Sequence, residues 1–423
     1  MRRLWFRNLI ALMLTLPDAA LATTFDDAVA AYKRKDYASA LSLFRSLAEK
    51  GDAKAEGNLG VLYSHGEGVR QDYAEALKWY RRAAEQGDPH AQFNIGVLYD
   101  HGTGVDQSYA EALKWYELAA AKGDVLAHLN LGVMYTYGNG VTQDFTEAAA
   151  QFRFAAEHGE AQSQDDLGIL YATGRGVPKD EAEAIRWFSL AARQGNAQAQ
   201  YNLAVRYTEG EGVAKDYNEA IKWYQLAADQ DYGEAENNLG AMYESGFGVA
   251  QDEVVAVTWF RRAAQHNNVS AETNLGIMNA NGKGVTQNFA EARKWFQLAA
   301  DHGDIKAQRN LGALYATGKG VPQSYADATK YYSLAAAHGD SEARTVLERI
   351  RSVQARQSAP MQRPEEHSTR VGLASAPLQP FTRLEPSAFR FSSPSFEPRT
   401  VHIGPSPSFG FGSHMMAGHF GRR

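Results

Sequence analysis

The chain has 423 residues, 22% of them charged, a formal net charge of −6 and no cysteine. Without cysteine there are no disulfides, no thiolate nucleophile and no cysteine-ligated zinc. The charge is uneven: residues 1–22 carry three Arg and one Asp, residues 352–423 carry eight Arg and four Glu, and the stretch between is about −12. An acidic body of this kind lacks the Lys/Arg surface that phosphate binding needs, so nucleic acid is not an expected partner.

At the N-terminus, Arg2, Arg3 and Arg7 precede the short apolar run Leu9–Leu16, Pro17 breaks it, and Ala20-Leu21-Ala22 follows. Charged start, short apolar core and small-x-small end predict a secretory signal peptide over 1–22, cleaved after Ala22. The alternative, an uncleaved anchor, needs about 20 apolar residues to span a bilayer, more than this run has. The expected mature protein is exported, periplasmic or further secreted, with no membrane span.

Residues 23–50 hold a partial repeat, marked by Ala40, Phe44 and Ala48. From Gly51 a unit of 36 residues is then written eight times without insertion or deletion, with equivalents starting at Gly87, Gly123, Gly159, Gly195, Asp231, Asn267 and Gly303, and it ends at 338. A fixed period of this length means stacked supersecondary units, because one unit alone cannot bury its apolar face.

Each unit reads as two helices. In the first, Ala55, Leu59, Leu62 and Tyr63 form one stripe of a helix over about 52–65, and Gly66 is placed to end it in a left-handed conformation. Asp72 then starts a second helix, and Glu75 three residues on predicts a capping box. Related pairs recur at Ser108/Glu111, Asp144/Glu147, Asp180/Glu183, Asp216/Glu219, Asn288/Glu291 and Ser324/Asp327; Asp252, followed by Val255, is the exception. The second helix is expected to bury Tyr73, Ala76, Trp79, Tyr80, Ala83 and Ala84 and to stop at Gly87, after which Asp88 caps the next unit. Asp231 and Asn267 replace that glycine with residue types that tolerate left-handed backbone.

Glycine recurs inside the first helix at 60, 96, 132, 168, 240, 276 and 312, where it costs about 1 kcal/mol relative to Ala. Close approach of a large side chain must offset this. The tryptophans of the second helix (Trp79, Trp115, Trp187, Trp223, Trp259, Trp295) are the expected occupants of the gap, each worth about 2–3 kcal/mol on burial.

The run A-x-x-N-L-G-x-L-Y-x-x-G-x-G-V-x-Q-D-Y-x-E-A-x-K-W-Y-x-x-A-A-x-x-G resembles the Sel-like repeat, a helix-pair relative of the tetratricopeptide repeat, continuously over 51–338. The resemblance implies an all-α, right-handed superhelical solenoid and a role as adaptor or scaffold. Exported bacterial members of the family are often envelope regulators or assembly factors, some act on host cells, and none of the repeat positions is a shared catalytic residue.

A catalytic group should break the repeat, and no such constellation is found: the expectation is no enzyme, no catalytic residue, no metal and no cofactor. The Gly-x-Gly-Val loops follow helices rather than strands and recur eight times, which suits turns better than phosphate cradles. His158, His266, His302 and His338 end second helices, where they can serve exposed carbonyls. The positions that vary inside the fixed frame are more informative. Phe93, Leu129, Tyr137 and Tyr201 either line a partner-binding first-helix face or fill gaps between repeats, and Arg206 is either a specific polar contact or a snorkelling side chain. Gln151 for Trp and Asn279 for Tyr mark reshaped packing.

A closing helix is expected over 339–351. Residues 352–423 hold nine of the thirteen prolines, seven Phe and no Lys, a composition that predicts a disordered tail. The expected function is a protein-interaction scaffold for an envelope sensor, secretion or cell-wall protein. The alternative is a secreted or surface protein that binds a host protein. The opposite charges of tail and body leave two readings: the tail folds back over the first-helix face until a partner displaces it, or it is an extended linker or non-specific wall contact, the reading the composition favours.

Overall fold

The computed structural model describes residues 24–358, so the expected signal peptide and residues 359–423 of the tail lie outside the described residues. All regular structure among the described residues is helical, nineteen helices in two units divided after His158. The first unit comprises α1 (Phe25–Lys33), α2 (Tyr37–Ala48), α3 (Ala53–His65), α4 (Tyr73–Glu85), α5 (Pro89–His101), α6 (Tyr109–Ala120), α7 (Val125–Tyr137) and α8 (Phe145–Glu157). The second comprises α9 (Ala161–Thr173), α10 (Glu181–Arg193), α11 (Ala197–Glu209), α12 (Tyr217–Ala228), α13 (Gly233–Ser245), α14 (Glu253–Gln265), α15 (Val269–Asn281), α16 (Phe289–Asp301), α17 (Ile305–Thr317), α18 (Tyr325–Ala337) and α19 (Ser341–Ser358). Within each unit consecutive helices pair and successive pairs stack, the architecture of a helical solenoid. No helix among the described residues is long and apolar enough to cross a membrane.

The loop glycines have two distinct tasks. Gly66 ends α3 at φ 72°, and its amide returns to the Leu62 carbonyl. Gly68, also left-handed, lies so close to the backbone of Tyr37 that a side chain would strike it, and Gly104 meets Tyr73 in the same way. Within each unit the second glycine of a Gly-x-Gly therefore lets a loop seat on the start of the second helix one repeat earlier. Asp231 and Asn267 adopt φ of 62° and 60° in place of the glycine between repeats.

The knob that fills each glycine gap is not the tryptophan but the residue after it. A Cβ built on Gly96 would stand 2.6 Å from the ring of Tyr116, and one on Gly168 2.7 Å from Phe188. Tyr116, Phe152, Phe188, Phe260 and Phe296 are at most 1% exposed. Trp79 instead packs partly buried against the cluster formed by α1, α2 and α3, so it covers the seam to the preceding repeat. One residue is a rotation of about 100° on a helix, enough to exchange the two roles.

The capping boxes form only by half. Asp72 accepts from the Glu75 amide, but the Glu75 carboxylate turns outward to Lys78 at 2.7 Å, and Glu111, Glu183, Glu219 and Glu291 likewise pair with the base three residues on. A reciprocal box is present at Thr24/Asp27 of α1. The closing helix continues to Ser358, seven residues beyond the expected end, since no proline occurs between Val353 and Ser358 to stop it.

Candidate functional site

The first helices are held side by side by contacts between the start of one and the N-cap of the next. Asp124 caps α7 by accepting from the Ala127 amide, and its other oxygen lies 3.1 Å from His90 Nδ1 on α5. That hydrogen bond to a largely buried carboxylate raises the His90 pKa above its ordinary value, against a smaller desolvation effect. In the second unit such contacts include an uncharged one, Asn196 Nδ2 to Gln162 Oε1 at 3.4 Å, and an ion pair, Arg309 to Asp340 at 3.0 Å.

This arrangement brings three of the expected site residues onto neighbouring helices. Phe93 on α5 is half-buried, its ring centroid 5.7 Å from that of Tyr116, and with Val97 it packs against the cluster containing Leu131 and Met134 of α7. Leu129 occupies the same register position on α7, followed by Val133 one turn on, and Leu126 precedes them; all three are half-buried. Tyr137, the last residue of α7, is half-buried as well. Asp100 borders this run and accepts from the Tyr116 hydroxyl at 3.2 Å; burial lifts its carboxyl above the usual carboxylate range. Residues 87–158 carry nine acidic and three basic side chains, and three of the acids, Asp88, Asp100 and Asp124, stand on α5 or at the caps of α5 and α7.

The other two expected site residues are buried in the second unit. Tyr201 is 6% exposed, its ring 5.8 Å from Tyr224 and 5.4 Å from Tyr232, and it fills space between successive repeats. Arg206 is 4% exposed and does not snorkel. It pairs with Glu211, and its Nε lies 3.6 Å from Glu181 Oε2. The repeat explains this: Arg206 stands where Leu62 and Leu98 stand, and Glu181 where Tyr73 and Tyr109 stand, so an ion pair replaces an aromatic–aliphatic contact. Neither residue offers a partner much surface.

A buried polar rung escaped the sequence reading, although the signal was there: the sixth residue of each unit is Glu, Gln or His. Gln92 and Gln200 donate to the last-turn carbonyls of Ala84 and Ala192 in the preceding repeat, at 3.3 and 3.1 Å. Gln200 also accepts from Gln230 at the end of its own repeat. A glutamate has no hydrogen to give. Where Glu56 and Glu236 take this place, Arg82 and Arg262 supply the donor to the Ala48 and Ala228 carbonyls and pair with the carboxylates at 2.7 and 2.6 Å. Asp231, Glu236 and His266 bring three possible ligand atoms together, but the Arg262 guanidinium lies against both carboxylates and already supplies the positive charge. Of the helix-ending histidines, His158 and His338 do contact carbonyls of their own helices, whereas His266 and His302 pair with Glu236 and Glu272. Glu236 and Glu272 are thus paired inside their own repeats, and Arg262 carries the contact to the preceding one.

Comparison with known proteins agrees with this architecture. The Sel1 repeat model matches nine consecutive segments, from 31–52 through 305–340, the first of them the partial copy upstream of Gly51. A protective antigen of uropathogenic Escherichia coli strains, described as displaying an SLR fold, is 35% identical, with 76% of this chain and 70% of that one covered and a TM-score of 0.68. A Sel1 repeat protein from Oxalobacter formigenes is 35% identical over 73% of this chain and 89% of its own, with a TM-score of 0.57. No curated protein matches. Such repeat solenoids are generally non-enzymatic protein-interaction scaffolds, and by its nine repeats, its helix-pair stacking and these relatives this chain belongs to the Sel1 repeat family.

Proposed function

We propose that the protein is an exported adaptor that binds an envelope protein through the first-helix face of α5 and α7. The observation that carries this reading is the half-buried run Phe93, Val97, Leu129 and Val133 at matched positions of two neighbouring helices, in two repeats of net acidic charge. A partly exposed aromatic and aliphatic cluster gains more from a partner than scattered polar surface does, since such anchors dominate interface energies. Export rests on the charged start, apolar run and Ala-x-Ala of residues 1–22. The test is affinity capture after in-cell crosslinking, with wild type beside Leu129→Asp. A defined periplasmic partner lost in the variant supports the reading; a partner retained at equal yield sinks the site.

A second reading is a surface or secreted protein that meets a host protein, favoured by the 35% identical relative described as a protective antigen. Recovery of the chain from culture medium or the cell surface, rather than from the periplasmic fraction, selects it.

A further inference from the structure

We infer that the segment 381–396 of this chain docks on the α5–α7 face and competes there with the partner. This rests on the reading of that face as the partner site. Sixty-five residues follow Ser358, with seven Arg, four Glu, no Lys and seven Phe. Within them, 381–396 concentrates Phe381, Phe389, Phe391 and Phe396 together with Arg383 and Arg390 against the single acid Glu385, a net charge of +1.

Three properties of the face suit this occupant. It offers apolar side chains that are half-buried rather than closed off, Phe93 and Val97 on α5 and Leu126, Leu129 and Val133 on α7. Its repeats hold three acidic residues for every basic one, and arginine on the segment complements that charge. The spacing also agrees. Phe93 and Val97 are one helical turn apart, about 6 Å along the axis, and residues i and i+2 of an extended strand, as Phe389 and Phe391 would be, project to one side about 6.8 Å apart. The same positions are closed in α11, where Tyr201 and Val205 are buried, so the second unit has no equivalent face there.

The chain has no cysteine, so Ser392→Cys in the full-length protein is a sole thiol for a photo-crosslinking benzophenone probe. Crosslinks mapped by mass spectrometry are expected on α5 and α7. The charge reversal Arg383→Glu/Arg390→Glu, made outside the folded repeats, is expected to lower their yield at least five-fold, and Leu129→Asp to do the same. Crosslinks scattered over the chain or centred on the second helices, or a yield unchanged by the charge reversal, would overturn the proposal. Partner capture is scored separately with the charge-reversed protein. Capture that rises above wild type supports competition, and capture no higher than wild type although the crosslink is lost removes the competitive role. A crosslink at α5–α7 in a protein that captures no partner counts against the adaptor reading alone.

Discussion

The first-helix faces of α5 and α11 share one frame and differ in outcome. Each begins behind an N-cap, buries the same alanine and leucine or isoleucine stripe, and ends on a left-handed glycine at φ 66° and 77°. On α5 the variable positions Phe93 and Val97 stay half-buried. On α11 their counterparts Tyr201 and Val205 are closed off. The difference traces to the next repeat. After α5 the following N-cap is Asp124, which binds His90, and Phe93 and Val97 stay only partly covered by α7. After α11 it is Tyr232, which makes no side-chain cap hydrogen bond and instead lays its ring against Tyr201. One helix cap is given up to seal one surface. The repeat frame thus fixes where side chains stand, and at α11 the ring of Tyr232, standing where other repeats carry an Asp, Asn or Glu cap, covers Tyr201.

The largest effect should separate the knobs from the face. Tyr224→Ala, which empties the gap behind Tyr201, is expected to lose about 3–5 kcal/mol in chemical denaturation, whereas Phe93→Ala, half-buried, should lose only about 1–2 kcal/mol. Equal losses would mean that the α5 face is core rather than surface.

Next come the rungs. Arg262→Leu strips the fully buried Glu236 of its guanidinium and leaves it only His266, and should cost about 2–3 kcal/mol, at the low end for buried pairs because the arginine is partly exposed. Adding Glu236→Gln, which restores the chemistry of the Gln200 rung, should recover most of that loss. A double variant no better than the single one would refute the exchange of donors.

Tyr232→Asp sharpens the comparison directly. The new N-cap contributes about 1 kcal/mol while the Tyr201 contact is lost, so stability should change by less than about 1 kcal/mol. Tyr201 should meanwhile become reactive toward a tyrosine-modifying reagent, followed by peptide mapping. Continued protection of Tyr201 would show that something other than Tyr232 seals the face.

The smallest effect is pH-dependent. Because the folded-state pKa of His90 is raised, its bond to Asp124 stabilises fully below the ordinary histidine value near 6.5 and is lost as pH rises through the raised one. The melting difference between wild type and His90→Asn should therefore shrink across that window, from an initial value below about 1 kcal/mol given the partial exposure of the ring. A constant or growing difference would contradict the linkage.

Much of this molecule was legible before any coordinates. The 36-residue period, the apolar stripe at Ala55, Leu59 and Leu62, the glycine stops and the Asp caps are local signals, each set by backbone conformation within a few residues, and they determine the helix pairs and the family. The sequence also pointed to Phe93, Leu129 and Tyr137 as departures from the frame. It could not say that Tyr80 and its equivalents, rather than the neighbouring tryptophans, enter the glycine gaps, because both are large and adjacent and only the rotation of the packed helix selects one. Nor could it say that Tyr201 and Arg206 are buried while Phe93 and Leu129 remain accessible. Burial at those positions depends on residues 25–31 places away, Glu181 before Arg206 and Tyr232 after Tyr201, which meet only when one repeat is stacked on the next.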